Sequence, residues 1–170
     1  MRLTLTGLLI LVTPVLYAQE IYLSNSVWIP LAQADEIPAQ GYALEVQDQK
    51  RTGYLDGSVV YRRIEEQGPQ GIEIREEYLD TGEVVTMIYR DGRLQEEQRR
   101  LEGEVDRTVF SYSFSGIIEE ITHYREDVLV SQQLLFYQPD GSVRSIFRYR
   151  SEQLLQQLNL VPGGYIVGTD

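Results

Sequence analysis

The chain has 170 residues, with 15 Lys plus Arg against 26 Asp plus Glu, and a formal net charge of −11. This length predicts a single domain, and 42% hydrophobic with 24% charged residues is typical of a folded globular chain. The absence of cysteine and the single histidine exclude disulfides, thiolate metal centres and multi-histidine metal sites. The acidic balance argues against nucleic acid as a partner. We expect no cofactor and no bound metal ion.

The N-terminus has the pattern of a secretory signal peptide, residues 1–18. Arg2 supplies a positive charge, Leu8–Val12 form the centre of a short apolar segment, and Ala18 precedes a polar stretch. The alternative is an uncleaved anchor, but the apolar stretch ending at Ala18 spans only 16 residues, whereas a spanning helix needs roughly 20. We therefore expect cleavage after Ala18 and a periplasmic or secreted protein, residues 19–170, with no lipidated cysteine and no transmembrane segment. Export without cysteines is typical of the bacterial envelope.

An internal repeat runs over residues 54–154, and it predicts a repeat β-sheet region at residues 51–150. Three segments share a tyrosine, a glycine four residues later, a Tyr-Arg pair seven or eight residues after the glycine, and a leucine. The three copies contain, in turn, Tyr78, Gly82, Tyr89 and Leu94; Tyr112, Gly116, Tyr124 and Leu129; and Tyr137, Gly141, Tyr149 and Leu154. A degenerate fourth copy begins at Tyr54 with Gly57. The four glycines are 25, 34 and 25 residues apart, so the middle interval is longer by about one strand with its turn.

Each copy has the composition of a β-hairpin. Asp-Gly pairs at 56–57, 91–92 and 140–141 suit the positive φ of tight turns, and the runs between them are rich in Val, Ile, Thr, Tyr and Phe. Alternation with polar residues places together Phe110, Tyr112 and Phe114 on one strand and Val143, Phe147 and Tyr149 on another, with Arg144, Arg148 and Arg150 on the reverse. The pattern predicts an all-β fold, an antiparallel β-meander of about seven or eight strands forming an open curved sheet or partial barrel.

Two of these segments resemble known repeat families. The stretch 137–143, YQPDGSV, is followed by Tyr149-Arg150, and 89–94 reads YRDGRL. These segments are similar to the units of YD (Rhs-type) repeats and to the MORN-variant repeats of bacterial envelope and antitoxin-like proteins. The resemblance covers residues 54–154. It implies successive β-hairpins, each built from a tyrosine, an Asp-Gly turn and an aliphatic residue, and it carries no catalytic residue.

The flanks are less regular. We expect residues 19–50 to form an N-terminal strand and loop region. At the other end, Ser151 suits a helix N-cap, and leucines at 154, 155, 158 and 160 follow at near-helical spacing before a Pro-Gly-Gly stop. We therefore predict a short helix at residues 151–160, within a C-terminal helix and tail of residues 151–170. Residues 19–170 are expected to form one domain.

The candidates for chemistry are few. His123 could act as a general base only if the fold placed an orienting carboxylate and a nucleophile beside it. We therefore favour the interpretation that His123 is a half-exposed strand residue without a catalytic role. Adjacent residues on a strand point to opposite faces, so the glutamate pairs are not expected to converge on a substrate. We expect them instead to form cross-strand pairs with the strand arginines Arg144, Arg148 and Arg150. The glutamate pairs are Glu65-Glu66, Glu76-Glu77, Glu96-Glu97 and Glu119-Glu120. Turn aspartates are interpreted as turn formers rather than calcium ligands.

The tyrosines in the repeat slots are the remaining candidate binding surface: Tyr78, Tyr89, Tyr112, Tyr124, Tyr137 and Tyr149. A row of such rings across adjacent strands would form a binding platform if exposed and a core if covered, and the core interpretation is favoured. We expect a non-enzymatic, exported envelope protein that acts as a binding or interaction module through its sheet surface, with an envelope protein or glycan as partner. The alternative is a periplasmic carrier of lipid or another apolar ligand, held in a curled sheet. An enzyme is the third hypothesis.

Overall fold

The computed structural model describes residues 19–161 and 164–168, and the predicted signal peptide lies outside them. In this part the chain is all-β and forms one antiparallel sheet of 14 strands. The strands are β1 (Glu20–Ser24), β2 (Pro30–Ala34), β3 (Tyr42–Gln47), β4 (Lys50–Leu55), β5 (Ser58–Gly68), β6 (Gly71–Tyr78), β7 (Glu83–Arg90), β8 (Arg93–Leu101), β9 (Glu104–Tyr112), β10 (Ile118–Arg125), β11 (Val128–Tyr137), β12 (Val143–Arg150), β13 (Gln153–Val161) and β14 (Gly164–Gly168).

The sheet is a meander from β3 onward, because each strand pairs with the next one in the chain. At the N-terminal end β1 lies between β3 and β2, so β2 and β14 are the two edges of the described sheet. The predicted antiparallel meander is therefore confirmed in its open form. The sheet does not close, because β2 and β14 do not pair with each other.

The predicted C-terminal helix is wrong. Ser151 and Glu152 have φ values of 47° and 69°, so they form a tight turn instead of an N-cap and first helical turn. The leucines that follow belong to β13, which pairs with β12. Leu154 lies opposite Tyr149, Leu158 lies opposite Ile146, and the register shifts between these two pairs. The bulge places Leu154 and Leu158 on opposite faces of the sheet, and pairing with β12 overrides the near-helical spacing of the leucines.

Four hairpins share one geometry, in which a tyrosine precedes a two-residue turn and pairs with the aliphatic residue that follows the turn. The four turns are Asp56-Gly57, Asp91-Gly92, Glu126-Asp127 and Ser151-Glu152, and φ is positive at both residues of each. The corresponding pairs are Tyr54 with Val59, Tyr89 with Leu94, Tyr124 with Leu129 and Tyr149 with Leu154. In each case the register shifts by one residue next to the tyrosine. Turns of this type match the right-handed twist of paired strands.

The long interval between Gly82 and Gly116 contains three strands, β7 to β9, whereas the interval from Gly116 to Gly141 contains two, β10 and β11. An odd number of strands reverses the direction in which the next hairpin enters the sheet. A hairpin that enters in the opposite direction is related to the previous one by half a turn about the axis that runs across the strands. That half turn also exchanges the two faces of the sheet, so equivalent residues of the two hairpins lie on opposite faces. Tyr89 and Tyr124 consequently lie on opposite faces, while Tyr124 and Tyr149 share one.

The register defines two faces. Leu44, Gly53, Tyr61 and Tyr78 lie side by side across β3 to β6, and we name this side the tryptophan face because Trp28 packs on it. The opposite side is the reverse face. Among the described residues the buried hydrophobic side chains are Ala43, Leu44, Tyr61, Ile74 and Val85. All of them belong to β3–β7, so the sheet is a single layer that is packed most closely towards its N-terminal end.

In two strands, the residues that the sequence predicts on one face do not all lie on that face. Phe110 and Tyr112 do lie on the tryptophan face, but Phe114 lies in the β9–β10 loop with its side chain fully exposed. Val143 lies opposite Tyr137, and the register shift beside it places Phe147 and Tyr149 on the reverse face. The physical reason is again a bulge, which breaks strict alternation along a strand.

Candidate functional site: an aromatic and carboxylate cluster on the tryptophan face

The loop between β1 and β2 brings Trp28 onto the sheet. The side-chain oxygen of Asn25 accepts hydrogen bonds from the backbone nitrogens of Val27 and Ile29 at 3.1 and 3.0 Å. The backbone nitrogen of Trp28 donates to the carbonyl oxygen of Asn25 at 3.0 Å. Trp28 itself has a φ of 60°, a left-handed conformation that costs a bulky residue about 1–3 kcal/mol. The loop is therefore held in a strained form that presents the indole to the sheet.

The indole packs over a glycine and against two tyrosines. Its ring is parallel to that of Tyr61, with centroids 5.0 Å apart and planes 7° apart, and it meets Tyr42 edge-on at 5.7 Å. Beneath it lies Gly53, where a Cβ atom would stand 2.6 Å from the indole carbons. Gly53 has an ordinary strand backbone, so glycine is required here for space rather than for a special φ. The absence of a side chain at Gly53 allows Trp28 to lie against the sheet.

Glu76 joins this aromatic group to the charged part of the tryptophan face. Its carboxylate accepts hydrogen bonds from the hydroxyls of Tyr61 and Tyr78 at 2.8 and 3.1 Å and from the guanidinium of Arg63 at 3.2 Å. The Glu76 side chain is 14% exposed. A carboxylate so placed needs several donors to offset its lost hydration, and three are present. We call Trp28, Tyr42, Tyr61, Glu76 and Tyr78 the aromatic cluster.

The phenols of Tyr61 and Tyr78 are neutral donors at physiological pH. Burial, followed by the nearby charge of Glu76, raises the pKa of Tyr78 to about 12. Burial, and then the hydrogen bond to Glu76, raises the pKa of Tyr61 as well. On the reverse face, burial and the hydrogen bond to Glu45 raise the pKa of Tyr54 to about 12. Tyr61 and Tyr78 therefore remain protonated and donate to Glu76.

The residue types of a hydrolytic triad meet once, around His123. Its Nδ1 lies 3.2 Å from the hydroxyl of Thr108, and its Nε2 lies 3.7 Å from a carboxylate oxygen of Asp106. A triad requires the carboxylate to orient the imidazole. Here Asp106 instead accepts two hydrogen bonds from Arg125, at 2.8 and 3.3 Å, and the hydrogen bond from Arg125 lowers the pKa of Asp106.

This arrangement is a cross-strand polar cluster on an open sheet, with the His123 side chain 32% exposed. Alternation along the strand predicts Glu119, Ile121 and Arg125 on the same face as His123. Ile121 and Arg125 do share the tryptophan face with His123, whereas Glu119 lies at the register shift between Ile118 and Glu120, which breaks the alternation. Asp106 and Thr108 could not be selected from the sequence, because only the register of β9 against β10 places them opposite Arg125 and His123.

The six predicted surface tyrosines do not form one row. Four lie on the tryptophan face, Tyr78, Tyr89, Tyr112 and Tyr137, and two lie on the reverse face, Tyr124 and Tyr149. All six are half-buried. The hydroxyls of Tyr112 and Tyr137 donate to backbone carbonyls of the neighbouring strands, at Leu94 and Ile118. Tyr124 lies under the guanidinium of Arg107, 4.5 Å from its ring centroid. Much of this tyrosine set therefore ties neighbouring strands together.

The paired glutamates behave as strand alternation predicts. Glu76 accepts from Tyr61 on the tryptophan face, while Glu77 pairs with Arg75 on the reverse face at 2.8 Å. Cross-strand ion pairs occur at Arg63–Glu76, Arg99–Glu83 and Arg107–Glu96. The partners expected from the sequence, Arg144, Arg148 and Arg150, form no ion pair with these glutamates among the described residues, and Arg148 donates to Gln156 instead.

Other kinds of site are not found in residues 19–161 and 164–168. There, no three His, Asp or Glu side chains converge as a metal site would require. In the same residues no helix is long and apolar enough to cross a membrane. A comparison of the chain with protein families, with curated proteins and with solved structures finds no match.

Proposed function

We propose that this protein is a non-enzymatic, exported envelope protein that binds a partner through the tryptophan face of its sheet, at the β1–β2 loop. The observation that carries the proposal is the strained backbone of Trp28, held at φ 60° by Asn25 and by stacking on Tyr61. Strain of this kind persists where the surroundings over-determine it, and it is concentrated at binding sites.

The same loop exposes apolar side chains. Val27 and Ile29, on either side of Trp28, are 66% and 54% exposed. Residues 21–34 contain no charged side chain, although the chain as a whole has a net charge of −11. A rigid aromatic base with exposed apolar neighbours is the composition of an interface centre. This composition favours an envelope protein as the partner, with a glycan as the other candidate.

The four hairpins with one geometry support the resemblance to YD and MORN-variant repeats, and we propose that the chain is built from units of that type. The carrier alternative requires a curled sheet that surrounds its ligand. The described sheet is open, and a depression on its surface is lined largely by charged side chains, among them Glu66, Glu73 and Arg75. A second depression is lined by more apolar side chains, among them Ile117, Leu134 and Phe136, but the sheet around it is open as well.

The experiment is retention of envelope components by the immobilised protein. We expect the wild type to retain a defined partner, with a saturable affinity once that partner is purified. The double variant Val27→Ser with Ile29→Ser should lose at least about tenfold in affinity, since two exposed anchors are removed. Val128→Ser is the matched control, because Val128 is also 66% exposed but lies at the β10–β11 turn. Equal retention by all three proteins, or no saturable partner, would contradict the proposal.

A further inference from the structure

The two edges of the sheet are protected to different degrees. An edge strand presents unpaired N–H and C=O groups, and natural proteins guard such edges with proline, charges or bulges. At β2, Pro30 removes one donor and the register shifts between Leu23 and Ser24 of β1. β14 reads GYIVG, with no proline and no charge, and it pairs regularly with β13. The C-terminal edge is therefore the less protected one in the described sheet.

The C-terminal edge is also free of charge. Residues 153–169, which include β13 and β14, contain no Asp, Glu, Lys or Arg. Two copies of a chain with a net charge of −11 repel each other, and the repulsion is least where the approaching segments are uncharged. A partner rich in basic residues would instead be drawn to the acidic middle of the chain. Residues 21–34, which include β2, are uncharged as well, so the lack of charge permits self-pairing at either edge. Pro30 and the bulge beside β2 leave β14 as the favoured edge for a second copy of this chain.

The apolar side chains of β14 suit such a pairing. Ile166 and Val167 are 58% and 52% exposed, and as neighbours on one strand they point to opposite faces. A strand added beside β14 would cover part of both. Self-pairing in the antiparallel sense provides the same residues from the other copy. When all five residues pair, Ile166, the central residue of β14, faces Ile166 of the other copy across the join.

We infer that β14 is a pairing edge at which two copies of this chain join antiparallel into one continuous sheet. The contact is isologous and uses the same strand twice, so it closes at the dimer and leaves the protected β2 edges outermost. A strand of five residues buries less than the roughly 800 Å² per partner of a standard interface. The dimer is therefore expected to be weak and concentration-dependent.

The test is the molar mass of the purified chain by sedimentation equilibrium over a wide concentration range. We expect a monomer–dimer equilibrium that Ile166→Lys weakens at least about tenfold, because two lysines would face each other across the join. The matched control is Leu31→Lys, since Leu31 is 64% exposed on the opposite edge strand, and it should leave the equilibrium unchanged. A monomer at every concentration, or a stronger effect of Leu31→Lys, overturns the inference.

A second measurement applies if Ile166→Lys does not fold, as judged by circular dichroism. The chain contains no cysteine, so single-cysteine variants report proximity cleanly. Under mild oxidation Ile166→Cys should form a disulfide-linked dimer faster than Leu31→Cys does. Equal rates for the two variants, or faster linkage through Leu31→Cys, would contradict pairing at β14.

Discussion

The indole of Trp28 lies over the backbone of Gly53 so closely that a Cβ atom on Gly53 would stand 2.6 Å from two of its ring carbons. The same Cβ would stand 2.9 Å from the Cβ of Tyr61. Neither neighbour can move far, because Trp28 is stacked on Tyr61 and Tyr61 is buried within β5. Gly53 thus sets how deeply the β1–β2 loop is seated on the sheet.

We expect Gly53→Ala to unseat Trp28 and to destabilise the fold by about 1–3 kcal/mol, the usual cost of overpacking. Trp28 is the only tryptophan, so its fluorescence emission should shift to the red before urea is added. Gly68→Ala is the matched control, because Gly68 also lies on a strand without a positive φ and its nearest neighbour would be 3.4 Å away. An unchanged emission maximum in Gly53→Ala would show that the indole does not lie on Gly53.

The raised pKa of Tyr78 predicts a loss of stability in alkali. The folded-state pKa of about 12 exceeds the ordinary value of 10, so the neutral phenol stabilises the fold fully below pH 10. That contribution is lost as the pH rises from about 10 towards about 12. Tyr54 behaves in the same way, because its pKa is also raised to about 12. Urea unfolding between pH 8 and 11 should show stability falling only above about pH 10.

Glu76→Gln provides the control for this pH dependence. The amide oxygen still accepts from the tyrosines, but the charge that adds to the raised pKa of Tyr78 is gone, and the ion pair with Arg63 is lost. Absorbance titration of the folded variant should therefore show tyrosine ionising at lower pH than in the wild type. An identical titration curve would mean that Glu76 does not contact these phenols.

Glu152 distinguishes the observed β13 from the helix that the leucine spacing predicts. Its φ of 69° is a left-handed conformation that costs an L-residue roughly 1–2 kcal/mol and a glycine little. We expect Glu152→Gly to stabilise the protein by about 1 kcal/mol, measured by urea unfolding. In the first turn of a helix the same change would destabilise by a similar amount, because glycine is a poor helix former. The sign of the change therefore decides between the two structures.

The turns were the part of the fold that local sequence could predict. Asp56-Gly57 and Asp91-Gly92 read as tight turns because both residue types tolerate positive φ, and both are such turns. Glu126-Asp127 and Ser151-Glu152 adopt the same form without a glycine, and strand pairing on both sides imposes it. The lack of glycine conceals these two hairpins in the sequence, and this is one reason why the sequence predicts seven or eight strands where 14 are found.

The candidate site was less predictable than the turns. Trp28 is separated by 25 residues from Gly53 and by 33 from Tyr61, so nothing local connects them. The face on which Tyr124 lies relative to Tyr89 depends on whether an odd or an even number of strands separates their hairpins. The number of residues between the two tyrosines does not reveal the number of strands. Bulges add a further difficulty, since each one shifts the residues that follow it to the other face.

The location prediction concerns residues 1–18, outside the described part of the chain. We expect the protein expressed with its own leader to be cleaved after Ala18, so that the mature chain begins at Gln19 and is recovered from the periplasm or medium without detergent. Intact-mass measurement checks this directly. A membrane-bound product that retains Met1 would contradict the exported form.

The central structural claim is that the sheet is a single open layer, on which the accessible tryptophan face and the free edges depend. Fourteen strands spaced about 4.8 Å apart span roughly 60 Å, which gives a radius of gyration of about 20 Å. A compact domain of the length of residues 19–170 would have about 15 Å. Small-angle X-ray scattering from the monomer, isolated at low concentration, tests the claim most directly. A radius of gyration near 20 Å is the predicted result, and a value near 15 Å would contradict the single layer.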